Sequence, residues 1–248
     1  MSTLYMKASP GQISKYVIFS GDPWRVNVFE NLMTDVEKVA FAREYNTLTG
    51  TYQGVRITAT STGIGAPSAA IAMEEMYECG MEVGIRMGTV MSLDDSLVGD
   101  FIIPLGSMRR ESTSDFYVEK SYPAIADFEL VQVLNEAVVL NGYKYHNGVQ
   151  CTMDGYYTDM KTSRFANEKG INPDKTMSQL ADLKVIGVDM ESSAMLVVGR
   201  LMGIKTAVIT LATVSQNLNR MLDDVERPKM EALLCKITLD AIVALENK

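Results

Sequence analysis

GAPSAAIAMEEMYECGMEVGIRMGT, residues 65–89, contains the pattern that decides the fold. Pro67 suits the first turn of a helix, alanines and methionines form the body, and Gly80 closes it, so residues 65–80 predict a helix. The apolar run VGIRMGT then predicts a strand. With a further strand predicted in GVRITATSTG before the helix, the segment is a β-α-β unit. Its two strands are expected to be parallel and joined by a right-handed crossover.

The same alternation of apolar runs and amphipathic segments extends in both directions from this unit. Strands are predicted in KYVIFSGD (15–22), VAFAREY, NTLTGTY, KYHNGVQCTM, LKVIGV and KTAVITLATV. Helices are predicted from near Pro23, over 126–141, in MESSAMLVVGRLMG and from about Arg227 to Asn247. The expected architecture is a single three-layer α/β/α domain over residues 1–248, with a mixed central β-sheet.

Composition limits the classes of function. Hydrophobic residues make up 47% of the chain and charged residues 22%, which is ordinary for a globular protein and unlike a disordered or fibrous one. The formal net charge is -8, from 31 acidic and 23 basic residues, and disfavours binding to nucleic acids or anionic membranes. An anionic ligand would therefore require a local cluster of arginines.

Cysteine content and the N-terminus bear on the cellular compartment. Cys79, Cys151 and Cys235 are odd in number, lie among apolar neighbours and lack the spacing of a metal site, so we expect buried, reduced thiols. The opening MSTLYMKASPGQ has no basic region followed by an apolar run, and no segment reaches the roughly 18 apolar residues of a membrane span. These features predict a cytoplasmic protein that does not bind membranes.

Two arginines suited to an anion occur at predicted strands, one in the loop that follows a strand and one within a strand. In SGDPWRV, Gly21 permits close approach of the backbone to a ligand and Arg25 could bind a phosphate, although a solvated arginine in an ordinary turn is the alternative. In GIRMGT, Arg86 interrupts an apolar strand and needs an anionic partner. Either Arg86 pairs with a carboxylate of the protein, or it binds an external anion beside Thr89.

Two further places hold charged residues that the fold alone does not require. In FAREYN, Arg43 and Glu44 break a strand-like segment, for which a surface salt bridge is the simpler explanation. In GVDMESSAML, Asp189 and Glu191 lie where a strand meets a helix. Carboxylates there either complement the helix N-terminus or, in the case of Glu191, accept hydrogen bonds from a sugar diol.

Five ordered motifs, GDPWRV, REY, STGIGAPSAAIAMEE, IRMGT and DMESSAML, resemble those of the nucleoside phosphorylase I family, and most of all its uridine phosphorylase branch. The resemblance runs from about residue 11 to the terminal helix. It implies attack of inorganic phosphate on C1′ of a nucleoside, which releases the free base and ribose 1-phosphate without a cofactor or metal. It also implies a homo-oligomer, either a dimer or a hexamer built as a trimer of dimers.

The resemblance assigns roles to residues of this chain. Arg86 and Glu191 correspond to the family's catalytic residues. The phosphate site corresponds to Gly21, Arg25, Arg43, Arg86 and Thr89, with Arg43 reaching in from a neighbouring subunit. The ribose site corresponds to Met190, Glu191 and Tyr5, and the base site to Tyr156, Asp159, Arg164 and Gln216.

Departures from the family pattern concentrate in the base site. Asp159 stands where uridine phosphorylases have glutamine, and a carboxylate only accepts hydrogen bonds. Gln216 replaces the aspartate of purine-cleaving relatives, while Met91 and Ser92 replace residues that are usually glycine and should narrow or reshape the pocket. His146 is expected to be structural.

Three alternatives therefore accompany a uridine-cleaving phosphorylase. They are a purine nucleoside phosphorylase, a nucleosidase that uses water in place of phosphate, and a relative that binds a nucleoside or phosphate without turnover.

Overall fold

The structure is a computed structural model that describes residues 1–248, except for the side chain of Asn217. Its strands, in chain order, are β1 (Tyr16–Ser20), β2 (Thr34–Ala42), β3 (Tyr45–Tyr52), β4 (Val55–Ser61), β5 (Val83–Ser92), β6 (Phe101–Ile102), β7 (Gly106–Arg110), β8 (Ala124–Ile125), β9 (Tyr145–His146), β10 (Val149–Met153), β11 (Val185–Asp189) and β12 (Lys205–Ser215). Its α-helices are α1 (Ala66–Glu78), α2 (Phe128–Leu140), α3 (Arg164–Glu168), α4 (Pro173–Asp182), α5 (Ser192–Leu201) and α6 (Glu226–Glu246).

The strands form one mixed sheet in the order β2-β3-β4-β1-β5-β11-β10-β7-β8. Strand β1 runs parallel to both β4 and β5, and β12 also pairs with β5 in parallel, whereas β11 meets the end of β5 in antiparallel orientation. Strand β5 is therefore hydrogen-bonded to three neighbours, at the centre of the sheet. The predicted mixed sheet of an α/β fold is confirmed.

Helices cover both faces of this sheet and form the outer layers. One core cluster joins β1, β4, β5 and β12 to α2 and α6, and a second joins the opposite face to α1, α5 and the N-terminal segment. Burial of these apolar side chains is the main term that stabilises the layers. The three layers expected from the sequence are therefore present.

The β-α-β unit follows the predicted pattern closely. Gly65 precedes α1 with φ of +104°, a conformation that only glycine adopts readily, and Pro67 occupies the first turn. Gly80, with φ of +100°, ends the helix. Strand β1 lies between β4 and β5 and is parallel to both, so these two strands are parallel to each other, as predicted.

Two local predictions were wrong. The helix expected from near Pro23 is a short 3₁₀ helix over Arg25–Asn31, which packs against α6, β3 and β4. The strand expected in KYHNGVQCTM is divided into β9, which pairs with β6, and β10, which pairs with β7 and β11.

Candidate active site

The central feature of the site is Arg86, buried in the middle of β5 with 4% of its side chain exposed. Its guanidinium lies over Gly88 on the same face of the strand. A Cβ atom at Gly88 would lie 3.1 Å from Nη2 and 3.3 Å from Cζ of Arg86, which is closer than most side chains tolerate. The glycine in IRMGT therefore provides the space that the arginine occupies.

Two carboxylates bind one edge of the Arg86 guanidinium. Nε donates to Oδ2 of Asp189 at 3.0 Å, and Nη2 forms an ion pair with Oε2 of Glu191. The sequence left open whether Arg86 pairs with the protein or binds an external anion. It pairs with the protein at this edge, while Nη1 is buried and has no hydrogen-bond partner among the described residues. Because a buried N–H without a partner is costly, Nη1 is suited to an added acceptor.

The buried cluster carries one guanidinium and two carboxyl groups. Burial raises the pKa of Glu191, and Asp189 adds to that rise, whereas the charge of Arg86 opposes it. Burial disfavours the charge on Arg86, but the carboxylates of Glu191 and Asp189 hold its pKa above the ordinary value. Arg86 is therefore a permanent cation, and Glu191 has a pKa above the ordinary value for a carboxyl group.

Asp189 is anchored independently of Arg86. Its Oδ1 accepts a hydrogen bond from the hydroxyl of Thr152 at 2.8 Å, and its Oδ2 accepts hydrogen bonds from the hydroxyl and backbone N–H of Ser192. The carboxylate thus caps the first residue of α5 while it binds Arg86. Asp189 is a rigid support within the sheet.

Glu191 connects three elements of the fold. It stands just before α5, its Oε2 pairs with Arg86 of β5, and its Oε1 accepts the backbone N–H of Gly65 at 2.6 Å. Gly65 opens α1, so the carboxylate also satisfies one of the unpaired N–H groups near that helix start. The side chain is thereby held at the carboxyl ends of β4 and β11, beside the middle of β5.

Gly21 and Arg25 lie in the loop that follows β1, beside β5. Ser20, the last residue of β1, pairs with Met87 of β5. Arg25 is buried, its Nε donates to Oε2 of Glu231 at 3.2 Å, and its Nη1 donates to the hydroxyl of Ser20 at 3.3 Å. The solvated arginine considered from the sequence is therefore excluded.

Thr89 is half-buried and lies three residues beyond Arg86 on β5. Since β1 and β5 are adjacent and parallel, the loop of Gly21 and Arg25 emerges at the same edge of the sheet as Thr89. The carboxyl ends of parallel strands are where open α/β sheets bind ligands. The structure thus places Gly21 and Arg25 just after β1, and Arg86 and Thr89 on the neighbouring strand β5.

Arg43 and Tyr5 lie elsewhere in the chain. Arg43 occupies the turn between β2 and β3 with φ of +57°, and β1 and β4 separate those strands from β5. Its guanidinium carbon lies 5.3 Å from the centre of the Tyr5 ring, at a distance typical of a cation–π contact. The surface salt bridge suggested by the sequence is replaced by this aromatic contact.

The N-terminal segment is fastened to α1 by Glu75. Its carboxylate accepts the backbone N–H groups of Tyr5 and Met6 at 2.8 and 2.7 Å, and the residue is 7% exposed. Sequence reasoning missed this residue. An acidic side chain on the apolar face of α1, beside Ala72 and Met76, was the available signal.

Met190, predicted to belong to the ribose site, borders an open cavity. Met190 is half-buried and contributes to a cavity of about 550 Å³ with Ile64, Gly65, Pro67, Phe116 and Tyr117. The lining is largely apolar and includes Gly65, whose N–H binds Glu191. Such a surface is suited to the carbon face of a sugar.

The predicted base-site residues lie in three different elements of the chain. Tyr156 is exposed in a π-helical turn over Tyr156–Met160, and the carboxylate of Asp159 lies against Gly155 and accepts a hydrogen bond from Thr158. Arg164 has 94% of its side chain exposed and pairs with Glu168 at 2.8 Å. Gln216 follows the end of β12. Their binding of a base stays a prediction.

Met91 and Ser92 are turned away from solvent. Met91 is 7% exposed and packs in an apolar cluster with Met153 and Met160, against which Met190 also packs. The hydroxyl of Ser92 donates to the carbonyl of Asp94 at 2.8 Å and accepts from its N–H at 3.1 Å. The two side chains therefore support the core and a turn.

The remaining candidates behave as structural groups. Nε2 of His146 lies 2.8 Å from Oδ2 of Asp100. The three cysteines are unbridged and buried, and burial raises the pKa of Cys151 and Cys235 to about 12. Across the described residues, we find no group of three or more His, Cys, Asp or Glu side chains with the arrangement of a metal site. No described helix is both long enough and apolar enough to cross a membrane.

Comparisons with known proteins agree on one group of enzymes. The model of the phosphorylase superfamily matches residues 15–242. Uridine phosphorylase from Thermococcus kodakarensis is 34% identical over 83% of this chain and 74% of its own length, and guanosine phosphorylase from Halorubrum lacusprofundi is 30% identical over 97% and 98%. The crystal structure of uridine phosphorylase from Vibrio fischeri is 33% identical, covers 98% of each chain and superposes with a TM-score of 0.87.

Proposed function

The chain belongs to the phosphorylase superfamily, and we propose that it is a nucleoside phosphorylase of uridine phosphorylase type, a pentosyltransferase that uses inorganic phosphate as co-substrate. The single observation in the site that carries this proposal is the buried guanidinium of Arg86, whose Nη1 lacks a partner among the described residues. It lies beside Glu191 at the carboxyl ends of parallel strands, where an anion and a sugar can meet.

The proposed site has three parts. Phosphate is bound by Gly21, Arg25, Arg86 and Thr89, and by Arg43 from a second copy of the chain, because within one chain Arg43 lies beyond β1 and β4. Glu191, Met190 and Tyr5 bind the ribose. Tyr156, Asp159, Arg164 and Gln216 bind the base.

The proposed reaction is displacement at C1′ of the ribose. Phosphate oxygen forms the new bond as the glycosidic C–N bond breaks, and the base leaves with the electron pair and acquires a proton. Arginines held in fixed positions align the phosphate with C1′, and that alignment lowers the entropic part of the barrier. Glu191 orients the sugar hydroxyls, and a nearby anion stabilises the positive charge that develops on the ribose ring.

The assembly and setting of the enzyme are proposed on the same basis. Residues 1–248 form one phosphorylase domain, and the protein is a homo-oligomer, either a dimer or a trimer of dimers. It acts without a cofactor or metal in the salvage of nucleosides in the cytoplasm, and its partners are the nucleoside and phosphate.

A panel of nucleosides, incubated with the protein in the presence and absence of phosphate, tests the proposal. We expect release of uracil from uridine and formation of ribose 1-phosphate only when phosphate is present. Free ribose in place of ribose 1-phosphate would identify a nucleosidase. Phosphate or nucleoside binding without any base release would identify a relative that binds without turnover.

A second candidate is a purine nucleoside phosphorylase. The guanosine phosphorylase of Halorubrum lacusprofundi matches nearly the full length of this chain, which favours inclusion of guanosine and inosine in the panel. Gln216 argues against it, since an amide is a poor acid for a purine nitrogen. Faster phosphorolysis of guanosine than of uridine would decide for the purine enzyme.

A further inference from the structure

Two buried arginines of the proposed phosphate site are held in the same way. Arg86 donates from Nε to Asp189 at 3.0 Å, and Arg25 donates from Nε to Glu231 at 3.2 Å. In both cases a carboxylate from a distant part of the chain binds the nitrogen nearest the side-chain stem. The terminal nitrogens are thereby directed away from that carboxylate.

Glu231 lies in the second turn of α6, the terminal helix, with 17% of its side chain exposed. Its other oxygen accepts from Nε of Arg227 at 2.9 Å, so the carboxylate is fixed between two arginines. Burial raises the pKa of Glu231, but the charges and hydrogen bonds of Arg25 and Arg227 outweigh burial and bring it below the ordinary value. The group is therefore an anion at neutral pH.

The contact restricts the motion of Arg25. Arginine has a long side chain with many rotamers, and fixing it costs conformational entropy. The tether at Nε and the bond from Nη1 to Ser20 fix it before any ligand arrives. An anion that then binds Arg25 meets an ordered donor and does not bear that entropic cost.

We propose that Glu231 is a positioning residue of the phosphate site that acts through Arg25, as Asp189 acts through Arg86. The inference rests on the proposed function, since it takes phosphate as the anion that Arg25 binds. It adds the terminal helix to the parts of the fold that determine the affinity for phosphate.

The carboxylate of Glu231 has a second effect on phosphate binding, opposite in sign to positioning. A carboxylate near Arg25 also repels a phosphate dianion and could act as a counter-ion that phosphate displaces. If positioning dominates, removal of Glu231 weakens phosphate binding. If repulsion dominates, the same removal strengthens it. The sign of the change therefore distinguishes the two effects.

The test compares Glu231→Ala and Glu231→Gln with the wild type, with Glu226→Ala as a matched control at the exposed first residue of α6. Binding of inorganic phosphate is measured by calorimetry, and KM is measured separately for phosphate and nucleoside. We expect Glu231→Ala to weaken phosphate binding about tenfold, the equivalent of roughly 1.4 kcal/mol. The nucleoside KM stays within about twofold, since the hydrogen-bond partners of Glu231 among the described residues are Arg25 and Arg227 and include no residue of the proposed ribose site.

The glutamine variant separates positioning from a structural role. Its amide oxygen can still accept from Nε of Arg25, so we expect phosphate affinity within about threefold of the wild type. Glu226→Ala should leave phosphate binding unchanged. Unchanged or tighter phosphate binding by Glu231→Ala, or equal loss of phosphate and nucleoside affinity, would overturn the proposal.

Calorimetry separates failure of this inference from failure of the proposed function. A wild-type protein that binds phosphate but releases no base refutes the phosphorylase, and the calorimetric comparison then still decides the role of Glu231. A wild-type protein that does not bind phosphate overturns both.

Discussion

Replacement of Arg86 by methionine should destabilise the protein as well as abolish phosphate binding. Methionine matches much of the arginine stem, so the change removes the charge without opening a large cavity. It leaves the side chains of Asp189 and Glu191 unpaired, with only 1% and 5% exposed. Removal of one partner from a buried ion pair typically costs about 3–5 kcal/mol. Asp189 keeps its hydrogen bonds from Thr152 and Ser192. We therefore expect the free energy of unfolding at pH 7.5 to fall by an amount in the lower half of that range.

The loss should depend on pH in a defined direction. Burial already raises the pKa of Glu191, and the opposing charge of Arg86 is absent from the variant, so that pKa rises further. A carboxyl whose pKa is higher in the folded than in the unfolded state contributes stability that is present at low pH and lost as pH rises. The destabilisation should therefore shrink between pH 7.5 and 5.5, by at most about 1.4 kcal/mol per pH unit for one proton.

Urea unfolding of the wild type and Arg86→Met at the two pH values measures this effect. The control is Arg164→Met, because Arg164 is 94% exposed and its salt bridge to Glu168 should contribute no more than about 0.5 kcal/mol. If Arg86→Met lowers the free energy of unfolding by less than about 1 kcal/mol at pH 7.5, the buried ion pairs do not stabilise the fold as argued. An equal decrease at both pH values would contradict the rise in the pKa of Glu191.

Three further substitutions examine supporting parts of the site. Glu75→Ala removes the acceptor of the N–H groups of residues 5–6, so limited trypsin digestion should cut the N-terminal segment several-fold faster. Glu75→Gln is the control, and an unchanged cleavage rate in Glu75→Ala would contradict the role of Glu75 in fastening this segment to α1. Gly88→Ala places a Cβ 3.1 Å from Nη2 of Arg86. It should raise the phosphate KM about tenfold, the equivalent of roughly 1.4 kcal/mol, with little change in the nucleoside KM. An unaltered phosphate KM would show that Gly88 is not needed to make space for Arg86. Met91→Ala should lower the free energy of unfolding in urea by about 2–5 kcal/mol, because Met91 is buried. The order in which the enzyme prefers different bases should stay unchanged, whereas a new preferred base would place Met91 in the base pocket.

Elements with strong local patterns were predictable from the sequence. Helices expected over 65–80 and 126–141 occur as α1 and α2, and the terminal helix begins and ends within a residue of its predicted limits. The segment Arg25–Asn31 and helices α3 and α4 were missed or misjudged. They are short or polar, and their conformation depends on packing against the sheet more than on local propensity.

The candidate site was predictable where a residue conflicts with its surroundings. Arg86 stands out as a charge in an apolar strand, and Glu191 as an acid at a helix start. Their pairing depends on the antiparallel approach of β11 to β5, which periodicity does not reveal. Glu231 lies 206 residues from Arg25 in the terminal helix, so no local feature of the sequence marks it.

The charges of the two arginine clusters explain why both are needed under the proposed function. Arg86 is matched by two carboxyl groups, so when both are ionised its cluster is negative and does not attract a phosphate dianion by net charge. The cluster around Glu231 contains two arginines and one carboxylate and is therefore positive. Of these two clusters, the one around Arg25 supplies the long-range attraction, whereas Arg86 contributes a directed, buried donor in Nη1. A phosphate held between them is drawn in by one arginine and oriented by the other.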